Sequence, residues 1–161
     1  MSATTATTTT DDTRVVTLSG RTAAAFRVLG WLAMLAGLVM IVAGATVWGV
    51  VSSELAAEKI VVAEDATLLP GAEVTGPLTA YAEAEVINHH ALEASDGQTY
   101  AQLDRDDPMR ATVMNASFLR ASLFTSVVSF GVAVLVIGMG LFVGLVGWAL
   151  TRLSPRRAAA D

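Results

Sequence analysis

The chain has no cysteine, only two histidines and only four prolines in 161 residues. The first absence excludes disulfides, thiolate metal sites and cysteine nucleophiles. Charge is scarce as well, at 16% of residues against 53% apolar, a high apolar share for so short a chain. The scarcity is concentrated in two places: no Asp, Glu, Lys or Arg occurs from Val28 to Ser53, and none from Ala121 to Thr151. A bilayer core about 30 Å thick takes roughly 20 helical residues to cross, so either stretch is long enough to span. Together they hold most of the large apolar residues, which leaves too little for the core of a freestanding soluble enzyme. No nucleophile–base pair, phosphate-binding loop or redox motif is present, and a pI near 4.9 without a basic patch excludes nucleic acid as a partner.

What is present reads as five parts. Residues 1–27 form a cytoplasmic tail, disordered over its Thr-rich first thirteen residues and basic from Arg14 through Arg21 to Arg27. A first transmembrane helix over 28–53, an acidic extracytoplasmic loop or subdomain over 54–120, a second transmembrane helix over 121–151 and a cytoplasmic tail over 152–161 follow. Lys and Arg near span ends resist translocation, and Arg14, Arg21, Arg27, Arg152, Arg156 and Arg157 all flank the outer ends of the pair. The loop carries twelve acidic residues against four basic ones. The expected fold is therefore an all-α membrane protein, an antiparallel two-helix hairpin in the cell (plasma) membrane with a small, mostly helical extracytoplasmic subdomain. A cleaved signal peptide is the competing reading of the first span, but its apolar stretch exceeds the usual signal core and starts late.

Gly30, Gly37 and Gly44 recur every seven residues in the first span, as do Gly131 with Gly138 and Gly140 with Gly147 in the second. Such a repeat holds one face of a gently supercoiled helix, and lipid-embedded helices use small residues to bring backbones together. Gly140 and Gly144 add a GxxxG pair, the expected docking point for a partner helix. Neither span holds an ionisable residue, which argues against a transporter or pump acting alone. Trp31, Trp48 and Trp148 suit interfacial anchoring. The second helix is expected to start at Asp107-Pro108, well before the membrane. That puts Arg120 at the outer interface, with Glu54 or Glu58 as its counter-ion.

In the loop, residues 60–76 suit an extended segment with a turn at Pro70-Gly71, and 78–94 suit a helix stopped by Asp96-Gly97. Leu78, Tyr81, Ala84, Ala91 and Leu92 would form its apolar face. The loop is too small for an independent core and should fold against the helix tops or another protein. His89 and His90 are the weak metal candidates. Adjacent helical residues point about 100° apart, so both cannot readily bind one ion, and two solvated histidines are the simpler reading. One of them with Glu85, Glu93 or Asp96 would make a low-affinity metal or pH-sensing site. The run Asp104-Arg105-Asp106-Asp107 lacks the periodicity of a calcium loop and suits capping.

The stretch 79–138, most closely around Met114–Val128, together with Val47–Ser53, resembles a family of small actinobacterial two-span membrane proteins often labelled aromatic ring-opening dioxygenase. The resemblance implies a membrane protein, and the label implies non-haem iron held by two histidines and a carboxylate. No catalytic residue carries over from it. The residues themselves favour a non-enzymatic protein without a cofactor, in contact with the bilayer and with another membrane protein or itself. The expected role is an accessory or scaffolding component of a larger envelope complex. The alternatives are a self-assembling structural homo-oligomer and the iron-dependent dioxygenase of the label.

Overall fold

The computed structural model describes residues 20–153, which form three helices: α1 (Gly20–Ala57), α2 (Pro77–Ala94) and α3 (Arg110–Leu153). Among the described residues there is no strand, only one isolated antiparallel bridge between Val61 and Glu73. The tail 1–13, Arg14, Arg156 and Arg157 lie outside the described residues.

α1 and α3 are each long and apolar enough to cross a membrane. At 1.5 Å per residue, α3 is about 66 Å long and α1 about 57 Å, so both exceed a bilayer core of about 30 Å. α1 reaches past the charge-free run at both ends, taking in Arg27 and running on through Leu55, Ala56 and Ala57. It stops where Lys59 turns left-handed, with a φ of 54°. α3 begins two residues beyond Pro108, and Asp107 fills the capping role: its Oδ1 accepts from the Met109 amide at 2.7 Å.

The two long helices run antiparallel, because the residues that meet ascend in one and descend in the other. Gly30 faces Gly147 and Thr151, Gly37 faces Gly140 and Gly144, and Gly44 faces Ala133 and Ile137. Trp48 extends this seam, its ring edge-on to Phe130 with centroids 4.7 Å apart. Away from the seam the surface stays apolar, with Leu32, Leu35, Val39, Val134, Leu135 and Phe142 all exposed. Such a surface is compatible with contact to lipid.

The connecting segment folds as the β-branched run and the turn predict, but without a regular sheet. The Val62 amide donates to Ala72 O and the Val74 amide to Ile60 O, both at 2.9 Å, around a turn with left-handed Leu69 and Gly71. α2 starts at Pro77, where the Thr79 hydroxyl accepts from the Gly76 amide. It ends at Asp96-Gly97, where the Gly97 amide returns to Leu92 O at 2.7 Å.

The face expected of α2 is only partly the one it buries: Ala84 is buried and Ala91 and Leu92 are half-buried. Leu78 and Tyr81 are exposed, whereas Ala80, Ala82, Ala84 and Val86 are buried. A residue advances 100° around a helix, so Ala80 and Ala84 share one side while Ala82 and Val86 lie on nearly the opposite one. The helix is thus covered from two sides, and small side chains mark that better than large ones. Val62, Val74 and the alanines join Leu55 of α1 with Leu123 and Phe130 of α3 in one buried cluster. The connector has no core of its own; it completes one begun by the long helices.

Candidate functional site

Four features had functional weight in the sequence: the glycines, the histidines, the Arg120 counter-ion and the acidic run. The structure treats them differently.

Glycine at the seam is a requirement of backbone approach. A Cβ added to Gly37 would stand 2.5 Å from Gly140 O and 2.8 Å from Gly144 N. One on Gly30 would stand 2.7 Å from Gly147 O, and one on Gly44 would stand 2.8 Å from Ala133 O. From the other side, Gly140 and Gly147 leave 2.7 Å and 2.6 Å to Gly37 O and Gly30 O. Gly131, Gly138 and Gly144 have nothing within 4 Å of an added Cβ. Gly140 therefore does not serve a partner helix as expected, because the seam with α1 consumes it, and Gly144 lends the same seam its backbone. The open pair is Gly131 and Gly138. Gly131 precedes Gly140 by nine residues, which places it about 180° around α3 from the seam.

The histidines separate. His89 Nε2 lies 3.2 Å from Glu93 Oε1 one turn along α2, and His90 Nε2 lies 2.6 Å from Asp65 Oδ2 in the connector. Their ring centroids are 6.2 Å apart. Each ring thus engages its own carboxylate, and among the described residues no group of three His, Asp or Glu side chains comes together to hold a metal. Among the described residues the two rings and a carboxylate are not brought together as the three-ligand set that ring-opening iron chemistry requires. The His90 contact holds the Asp65 carboxyl below the usual carboxylate range, chiefly through the hydrogen bond between them.

The expected pair of Arg120 with Glu54 or Glu58 does not form. Both glutamates are exposed, Glu54 in the last turn of α1 and Glu58 in the turn just after it, while Arg120 lies on the stripe of α3 that faces α2. Its guanidinium stands 5.2 Å from the Phe124 ring centroid, and among the described residues it enters no ion pair and its buried Nε has no hydrogen-bond partner. Arg110 is used differently: it stacks on Tyr100 at 4.2 Å and donates to the carbonyls of Tyr100 and Leu103. That fastens the Thr99–Leu103 turn against the start of α3. Of the acidic run, Asp107 caps α3, as its position predicted.

Two further ties join the connector to the helices. The Ser52 hydroxyl donates to Thr75 O at 2.6 Å, and Glu83 Oε2 accepts from the Ala63 amide at 3.0 Å. Neither was anticipated, since the partners lie about twenty residues apart in sequence and no local pattern couples them. At the far end of α3, Arg152 sits 5.3 Å over the Trp148 ring, beside the helix C-terminus where a cation is favoured.

Comparison of the chain with family models, with curated proteins and with solved structures finds no match.

Proposed function

We propose that the chain is a two-span protein of the cell membrane whose antiparallel hairpin leaves both termini in the cytoplasm and residues 54–120 outside. In this reading it is a non-enzymatic accessory or scaffolding component of a larger envelope complex. The distribution of charge supports the orientation: Arg27 and Arg152 lie toward the same end of the hairpin, and the acidic connector lies at the other.

The observation that carries the partner is the second small-residue line on α3. Gly131 and Gly138 are open, lie opposite the seam and are flanked by exposed Val134, Leu135 and Phe142. A neighbouring helix gains close backbone approach there without disturbing the hairpin. The fold around α2, tied to α1 through Ser52 and packed on α3 through Tyr81 and Phe124, presents a fixed acidic surface on top.

The test is purification of the C-terminally tagged full chain in mild detergent, with native mass read on the same sample. A stoichiometric second protein that is lost when Gly138→Leu is introduced, while the monomer stays folded, is the expected result. Unchanged recovery in that variant sinks the interface. A homo-oligomer that dissociates on the same substitution replaces the accessory role with self-assembly.

A further inference from the structure

Between the C-terminal half of α2, the Thr99–Leu103 turn and the start of α3 lies a cleft of about 390 Å³, lined by Asn88, Leu92, Tyr100, Arg120 and Phe124 among others. Its one cation is Arg120, buried at Nε and without a carboxylate partner in a segment where acidic residues outnumber basic ones three to one. Arg120 is half-buried, its buried Nε–H is costly to leave unpaired, and among the described residues none of the segment's twelve carboxylates pairs with it. Asn88 brings a second polar side chain to the same wall, with no hydrogen bond of its own. The guanidinium fork matches phosphate geometry. Thr99 and Ser117 add hydroxyls, Ala91, Leu92, Val113, Ala116 and Phe124 supply an apolar wall, and Arg120 is the last charged residue before the charge-free run that begins at Ala121. From there the outer face of α3 continues as exposed apolar surface at Val128 and Val132. The complementary ligand is therefore anionic at one end and apolar at the other.

We propose that this cleft is a headgroup site for an anionic phospholipid, whose phosphate pairs with Arg120 while its acyl chains follow α3 into the bilayer. The site rests on the membrane-spanning reading, but it does not depend on a partner at Gly131 and Gly138. It also differs from an arginine merely reaching an interface, because the cleft walls and not only the charge select the ligand.

The full chain in detergent is offered phosphatidylglycerol or phosphatidylcholine with the same acyl chains, and retention is read by native mass spectrometry. Wild type should retain phosphatidylglycerol about tenfold better, the scale of one charge-assisted hydrogen-bonded contact. Arg120→Gln should bring the two lipids to parity. Ala116→Leu, which fills the cleft and leaves the charge in place, should do the same. Arg120→Lys should keep part of the preference. Parity in wild type, or an undiminished preference in Arg120→Gln, overturns the site. Loss in Arg120→Gln but not in Ala116→Leu also overturns it, since the lipid then sits on open surface. Displacement by millimolar inorganic phosphate alone replaces the lipid with a free anion, and a co-purifying protein that blocks the lipid replaces it with a protein carboxylate. Helical circular dichroism checks each variant; if Arg120→Gln misfolds, Ala116→Leu and Arg120→Lys decide. Failure of the membrane reading shows earlier and separately, as recovery of the chain without detergent.

Discussion

The seam between α1 and α3 and the core around α2 are both built from the smallest side chains, and for different physical reasons. In the proposed membrane setting lipid tails are as apolar as the side chains they would replace, so helix association gains nothing from hiding leucine; it gains from backbone contact, which small residues, glycine above all, permit. At the seam the carbonyl of Gly140 occupies the space where a Gly37 side chain would be. Around α2, which the proposed topology leaves in water, burial itself is favourable. There alanine suffices, because α2 must fit between the connector and α3 with both sides covered, and Val62 and Val74 fill what the alanines leave. The difference implies that enlarging a residue is the severe insult at the seam, whereas shrinking one is the severe insult in the core.

The largest effect should come from Gly37→Leu. The first atom of the new side chain already collides with two backbone atoms, which cannot rotate away, so the helices must separate. A loss of about 3 kcal/mol, the upper end for overpacking, is expected in unfolding measured in mild detergent. Gly138→Leu enlarges the same residue type on the opposite face, where there is open space, and should leave the isolated chain as stable as wild type. Equal destabilisation by the two would erase the distinction between seam and free face.

A smaller effect belongs to Val74→Ala. Val74 is 1% exposed, and removing two of its carbons costs the transfer term and leaves a void, together about 2 kcal/mol. The damage should stay local: hydrogen exchange should accelerate across 60–94 while the mid-seam amides of α1 and α3 keep their protection. Acceleration spread evenly over all three helices would show that the connector and the seam are one cooperative unit.

How much of this was legible in the sequence follows the same division. Charge-free runs and sevenfold glycine spacing are periodic along one helix, so the long helices and their seam could be read without coordinates. The choice between glycine faces could not, since it depends on which side of α3 meets α1; the GxxxG pair pointed to the side that is already taken. α2 was placed almost to the residue by Pro77 and Asp96-Gly97, yet its buried face was only partly read. Amphipathic reasoning assumes one wet side, and this helix is covered on two by a connector whose path depends on distant ties such as Ser52 to Thr75. Arg120 was assigned Glu54 or Glu58 as counter-ion by the same one-dimensional logic, which could not show that α2 claims that stripe of α3.

The weakest of these contacts sharpens the comparison from the solvent side. Asp65 and His90 are each about half exposed, and their 2.6 Å contact fastens the connector to α2 at the edge of the core. Because that hydrogen bond lowers the Asp65 pKa, its contribution is present above the value Asp65 has in the unfolded chain. It is lost as pH falls through the still lower folded value, beneath the usual carboxylate range. Exchange of the amides around 63–72 should therefore quicken on acidification relative to their intrinsic rates. Asp65→Asn should show part of that loosening already at neutral pH and respond less to acid. The seam, which holds no titratable group between Val28 and Ser53 or between Ala121 and Thr151, should not respond at either pH. A variant that matches wild type at neutral pH would mean that Val62, Val74 and the alanines alone hold the connector, with the histidine contact only resting on a surface already fixed.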